Sequence, residues 1–185
     1  LLLLGVWMLY VSFGLIATSL APLASLVIID LNMTHAEMGL AMGAWQFIYI
    51  FSAVPSGILL DKIGARNALA IAGIIVSLSA LARVFVDDTT SLILAVMLFG
   101  LGGPVVSAGA SKVVISSFTG SSRGLAMGIY MTGPAIGSII SLTTTHSVLL
   151  PLFDNSWRAI FLLWAGVAFL SAFSWFFLAT VAKSS

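Results

Sequence analysis

The sequence predicts an all-α membrane protein, a bundle of six transmembrane helices, and three observations carry that prediction. Of the 185 residues 61% are hydrophobic and only 7% are charged, against about 25% charged in soluble domains. Apolar stretches that suit the ~20 residues needed to cross a ~30 Å hydrocarbon core recur at 1–29, 37–60, 67–86, 91–111, 124–150 and 157–181. Short polar or glycine-bearing punctuation separates them, and each such interval carries helix-end chemistry.

The first stretch lacks the basic segment of a signal peptide and is too long for one, so it reads as a membrane helix. With no initiator Met, the chain reads as a fragment that begins inside or at the edge of that helix. Trp7, Tyr10, Gly14, Ala17 and Ala21 fall on one of its faces. The second stretch opens with Thr34 and Glu37 at capping-box spacing and presents Gly39, Gly43, Gln46, Ala53 and Gly57 at helical intervals. The third ends near Arg83, four residues before Asp87, a spacing at which the two can pair on a helix.

Asp87, Asp88, Thr89 and Thr90 offer acceptors to the free N–H groups that open the fourth helix, which carries a stripe of Gly100, Gly103, Ser107 and Ser111. The fifth has Tyr130, Pro134, Gly137, Ser141 and Thr145. Its Gly133, Pro134 and Gly137 suit close packing and bending, as Pro104 does in the fourth, because proline frees a carbonyl. The Gly-x-x-x-Gly pairs 39/43, 124/128 and 133/137 are compatible with packing alone. The sixth is ringed by Phe161, Trp164, Phe169, Phe173, Trp175, Phe176 and Phe177, a bulky surface suited to lipid, which places it at the periphery; Arg158 lies four residues after Asp154.

Orientation follows from Lys and Arg, which are retained on the cytoplasmic side. Lys62, Arg66, Lys112, Arg123 and Lys183 cluster at one set of helix ends, whereas the other holds Asp30, Glu37, Asp87, Asp88 and Asp154 against Arg83 and Arg158. Both termini are therefore expected in the cytoplasm, in a plasma membrane of the bacterial inner-membrane kind. Seven scattered Lys and Arg residues cannot form a nucleic-acid surface. The absence of cysteine excludes disulfides and thiolate metal sites. The two histidines, His35 and His146, make no His-Glu-x-x-His, and no nucleophile elbow or phosphate-binding loop is present. No enzyme, metal or cofactor is expected.

Residues 56–67 read SGILLDKIGARN, and Gly57, Leu59, Asp61, Lys62, Gly64 and Arg66 match a loop motif. With them the chain resembles the major facilitator superfamily of secondary transporters, departing at Ala65, where a further basic residue is usual. The segment MGIYMTGPAIGS at 127–138 is similar to that family's fifth helix, and Ser156, Trp157 and Arg158 resemble the start of its sixth. The passage from Ser107 to Gly128 resembles cyanate and nitrate or nitrite carriers. The arginine that many members carry early in the fourth helix is missing from 95–102, which puts proton coupling through it in doubt.

The resemblance implies that the chain is the N-terminal half of a two-bundle fold whose C-terminal six-helix half is its partner, with the lipid bilayer around both. It implies secondary active transport of a small solute by alternating access, an anion being one candidate class. Gly57, Asp61, Lys62, Gly64 and Arg66 would form a cytoplasmic gate. Lys112, Tyr10, Gln46 and Tyr130 are the candidate solute contacts. Lys112 has two readings, a side chain reaching the headgroups or an ammonium facing a cavity. A non-transporting six-helix scaffold or accessory protein is the alternative reading of the whole chain.

Overall fold

The computed structural model describes residues 1–184, and side chains as far as Val181, so the side chain of Lys183 lies outside the described residues. Among the described residues five helical runs are long and apolar enough to cross a membrane, and one of them, His35–Phe85, is two helices joined at Gly64, which gives six helices. α1 spans Leu2–Asp30 and is interrupted: regular helix stops at Thr18, a 3-10 turn covers Ala21–Leu23, and helix resumes over Ala24–Asp30. Pro22 has no N–H to give the Thr18 carbonyl, while the Thr18 and Ser19 hydroxyls donate back to Gly14 and Ile16 carbonyls at 3.0 and 2.8 Å. The sequence pattern, apolar throughout, concealed this break.

α2 and α3 occupy residues 35–63 and 65–82 of one helical run, His35–Ala82, broken only at Gly64. The expected loop at 61–66 is thus a single residue. Gly64 adopts φ 78 and ψ 155, a conformation that a Cβ disfavours, and the helix on either side keeps its bonds. The chain reverses there, since Arg83 and Met42 line one cavity. Thr34 and Glu37 form a reciprocal capping box at the start of α2.

α4 spans Thr89–Ser117, opened by a capping box in which the Ser91 N–H donates to Asp88 at 2.7 Å. That bond holds the Asp88 carboxyl below its ordinary value. The helix runs past its expected end at 111, because nothing between Lys112 and Ser117 is a helix stop. α5 begins at Gly120 (φ +57), runs to Thr144 and continues through a π turn, Thr145–Leu149, to Leu152; His146 lies exposed in that turn. α6 is Trp157–Ser184.

Small residues set the contacts between helices, as expected where lipid removes the hydrophobic drive for association. A Cβ on Gly137 would stand 2.0 Å from the Val11 carbonyl oxygen, one on Gly14 would stand 2.1 Å from that of Pro134, and one on Gly133 would meet Tyr10 Cβ at 2.7 Å. α1 and α5 therefore touch backbone to backbone. Gly100 brings α4 equally close to α2, 2.4 Å from a virtual Cβ to the Trp45 carbonyl oxygen. Gly39, Gly43, Gly57, Gly124 and Gly128, by contrast, face open space within this chain.

α6 packs on α3 and α1, and its aromatic ring is two-sided rather than uniformly outward. Phe161, Trp164 and Trp175 are buried, whereas Phe169, Phe173, Phe176 and Phe177 are exposed. The two arginines at the acidic end also differ from their expected local pairs. Arg158 reaches Asp30 at 2.5 Å and the Val86 carbonyl at 3.0 Å, with its guanidinium over Trp157, and so ties α6 to α1. Arg83 is 2% exposed and bonds the Ile16 carbonyl and the Ser19 and Ser79 hydroxyls instead of Asp87. Local spacing permitted both i, i+4 pairs, but the break in α1 and its end at Asp30 offer acceptors that packing brings closer.

Candidate functional site

The site is a wall of aromatic rings and hydroxyls shared by α1, α2, α4 and α5. Phe13 stacks on Phe99 at 4.8 Å between centroids and meets Trp45 edge-on at 6.3 Å. Trp45 meets Tyr49 at 6.1 Å, and Tyr10 joins the chain of rings to Tyr130 at 5.2 Å. Each edge-to-face contact directs a ring's positive rim at a neighbour's negative face, which fixes the wall's shape.

The tyrosine hydroxyls are held by consecutive turns of α4. Tyr49 Oη and Ser107 Oγ are 2.7 Å apart, and Tyr130 Oη and Ser111 Oγ are 2.9 Å apart. Ser107 and Ser111 are four residues apart, so one helix face pins a ring from α2 and a ring from α5. Phe13, Trp45, Gln46, Tyr49, Ile50 and Ser107 line an open cavity of about 380 Å³. Trp45 and Gln46 also line a second cavity, of about 370 Å³, that reaches Thr18 and Arg83. Both lie in the range of small-molecule sites, about 300 to 1,000 Å³.

At the other end stands the loop motif. Asp61 Oδ1 accepts from Lys112 Nζ at 2.7 Å, and both side chains are substantially exposed. The ammonium considered for a solute contact is thus engaged by the motif's carboxylate, one residue beyond the serine that holds Tyr130. Arg66 turns away from Asp61: its guanidinium donates to the Thr180 hydroxyl and lies 5.0 Å over Phe176, and its carbonyl accepts from Trp175 Nε1 at 2.9 Å. Arg66 therefore fastens the start of α3 to α6. Lys62 is exposed, and Gly57 sits one turn before Asp61 on α2.

The structure brings Tyr10 and Tyr130 together and puts Gln46 on the same wall. Gly133 and Gly137 set the spacing of α1 to α5, and Pro134 supplies the carbonyl against which Gly14 packs. The aromatic members Phe13, Trp45 and Tyr49 were not singled out from sequence. Phe13 lies three residues from Tyr10, Tyr49 three from Gln46 and Trp45 four from Tyr49, and that helical spacing was the available signal. Among the described residues no group of acidic or histidine side chains could hold a metal.

The family model described as Major Facilitator Superfamily matches residues 2–185. A hexuronate transporter of Bacillus subtilis (strain 168) is 26% identical over 147 residues, which cover 80% of this chain and 34% of that protein. A D-galactonate transporter of Escherichia coli O6:H1 is 26% identical over 148 residues, again 80% of this chain and 34% of that protein. The chain therefore spans about a third of the curated relatives it matches. The crystal structure of a bacterial homolog of the human lysosomal transporter Spinster, inward-facing and unoccupied, superposes with a TM-score of 0.82 at 18% identity, covering 95% of this chain and 42% of that one; this likeness concerns the fold.

Proposed function

The chain belongs to the major facilitator superfamily, and from that premise we propose that it is the N-terminal half of a secondary active transporter that moves a small polyhydroxylated acid by alternating access. The observation that carries the reading is the wall of Tyr10, Phe13, Trp45, Tyr49 and Tyr130 with its hydroxyls pinned by Ser107 and Ser111. Aromatic faces accept the C–H side of a sugar ring or chain, and Gln46 with the serine and tyrosine oxygens suits its hydroxyls. Relatives named for hexuronate and D-galactonate support that solute class, and they lend none to the cyanate and nitrate carriers that part of the sequence resembles.

In this reading the exposed face of α2, with Gly39, Gly43, Phe47, Ile50 and Val54, receives the second six-helix bundle, and the outward aromatic residues of α6 meet lipid. The Asp61 and Lys112 pair lies at the cytoplasmic mouth, with both termini cytoplasmic and the protein in a bacterial inner membrane. Lys112 then works within the gate, Gln46 on the cavity wall is the solute contact, and Tyr130, 2% exposed and packed on Tyr10, supports that wall from within.

The test is uptake of labelled D-glucuronate and D-galactonate by the full-length transporter in proteoliposomes, with Tyr49→Phe and Trp45→Ala beside the unaltered protein. Uptake that falls with Trp45→Ala at equal protein content supports the reading. Absence of uptake of any polyol, sugar or sugar acid would return the chain to the scaffold alternative.

A further inference from the structure

Arg83 is among the most thoroughly buried side chains of the bundle, and its charge is incompletely matched. At 2% exposure a guanidinium needs a counter-charge, because burying an isolated ion costs far more than one hydrogen bond returns. Its contacts are neutral: Nη1 donates to the Ile16 carbonyl at 3.3 Å and to Ser19 Oγ at 3.1 Å, Nη2 donates to Ser79 Oγ at 3.4 Å, and the ring of Phe161 lies 5.4 Å from Cζ. Nε is buried with no partner. Among the described residues no carboxylate pairs with it, since the two ion pairs are Lys112 with Asp61 and Arg158 with Asp30.

Part of the charge is offset by the break in α1. Ile16 and Ser19 belong to the C-terminal end of the segment Leu2–Thr18, and a helix C-terminus carries the equivalent of about half a negative charge. About half of a positive charge is then left without a match. It borders the cavity of about 370 Å³ whose wall includes Thr18, Gln46 and Trp45, and Trp45 and Gln46 also line the aromatic cavity.

We propose that Arg83 is the anion anchor of the solute path, binding a carboxylate in the cavity between Thr18, Gln46 and the break in α1, while the aromatic wall holds the hydroxylated body. The inference rests on the transporter reading given above and adds to it the group that recognises the acid. A carboxylate accepts charge-assisted bonds from a guanidinium and supplies the missing counter-charge. Gln46 borders both cavities, and its amide can meet the solute from either one.

Binding to the full-length protein in detergent tests this, with D-galactonate and D-glucuronate as acids and D-galactose and D-glucose as their neutral counterparts. Arg83→Gln is expected to weaken both acids by about 10- to 100-fold, the range that loss of a charge-assisted bond corresponds to, and to leave the neutral sugars unchanged. Arg83→Lys should recover part of the loss. A purely structural arginine would alter acids and sugars alike. Because Arg83 also caps α1, a second measurement leaves its bonds intact: the methyl ester of D-glucuronate, which keeps the hydroxyls and lacks the charge, should bind the unaltered protein about as weakly as D-glucose does. Acid affinities unchanged in Arg83→Gln, an ester that binds as tightly as the acid, or no acid binding to the unaltered protein, would overturn the proposal. Selective acid binding through Arg83 without uptake in proteoliposomes would uphold the anchor and reject the transport reading instead.

Discussion

Ser52 Oγ donates to the Gly100 carbonyl at 2.9 Å, across the contact between α2 and α4. That carbonyl is the one Pro104 deprives of its helical donor, four residues on. A proline in a membrane helix is tolerated where a neighbour satisfies the freed group, and here a serine on the adjacent helix does so. Ser52→Ala is expected to lower stability by about 0.6 kcal/mol, and at most about 1.7 kcal/mol, the range of side-chain bonds between membrane helices. In a Pro104→Ala background, which returns an N–H to Gly100, the same change should cost less. Unfolding curves of the four proteins check it, and equal losses in both backgrounds would sink the link.

Gly137 and Gly43 look alike in sequence, each closing a Gly-x-x-x-Gly pair, yet only Gly137 is packed. Gly137→Ala would force Cβ to 2.0 Å from the Val11 carbonyl oxygen, so α1 and α5 must separate. We expect a loss of about 1 to 3 kcal/mol, as for overpacked cores. Gly43→Ala meets nothing within 4 Å in this chain and should leave its fold unchanged. Thermal unfolding distinguishes the two, and similar midpoints would contradict the close approach.

This contrast marks what sequence could tell. Composition and the length of apolar runs set the number of crossings, because the bilayer constrains both. The motif at 57–66 located Asp61 and Gly64, since few other roles need that carboxylate beside those glycines. Partners across the bundle were beyond reach. Arg83 lies four residues from Asp87 and Arg158 lies four from Asp154, but tertiary packing sent the first to the break in α1 and the second to Asp30. Pro22 was the visible sign of that break, hidden by apolar neighbours on both sides. Phe13, Trp45 and Tyr49 were legible only as core residues until α4 placed Ser107 opposite Tyr49.

Gly64 carries the whole reversal between α2 and α3 at φ 78 and ψ 155. Nothing stands within 4 Å of a Cβ there, so Gly64→Ala tests backbone strain without a clash. A non-glycine residue held in such a region costs about 1 to 3 kcal/mol. The expected result is a lowered unfolding temperature together with a displaced Asp61 and reduced transport. Gly57→Ala, helical and open, should alter neither within this bundle. Wild-type stability of Gly64→Ala would show that the reversal can be made another way.

The ion pair of Asp61 and Lys112 yields the last prediction. At 2.7 Å and with both side chains substantially exposed, it contributes little to stability, about 1 kcal/mol at most. The same energy matters more for a gate, because it biases an equilibrium between open and closed mouths by up to about fivefold. Asp61→Asn and Lys112→Gln should therefore leave abundance and unfolding temperature nearly unchanged while lowering turnover by a few-fold, and the unaltered pair should weaken as salt rises. The exchanged double variant, Asp61→Lys with Lys112→Asp, separates two roles. If the pair itself is the latch, the exchange restores most of the rate, since attraction does not depend on which helix bears which sign. If Asp61 must also meet a group in the other bundle, the double variant remains as slow as the slower single one. Initial rates of D-galactonate uptake at equal reconstituted protein decide between them. Full activity in both single variants would reduce the motif to a signal for membrane orientation.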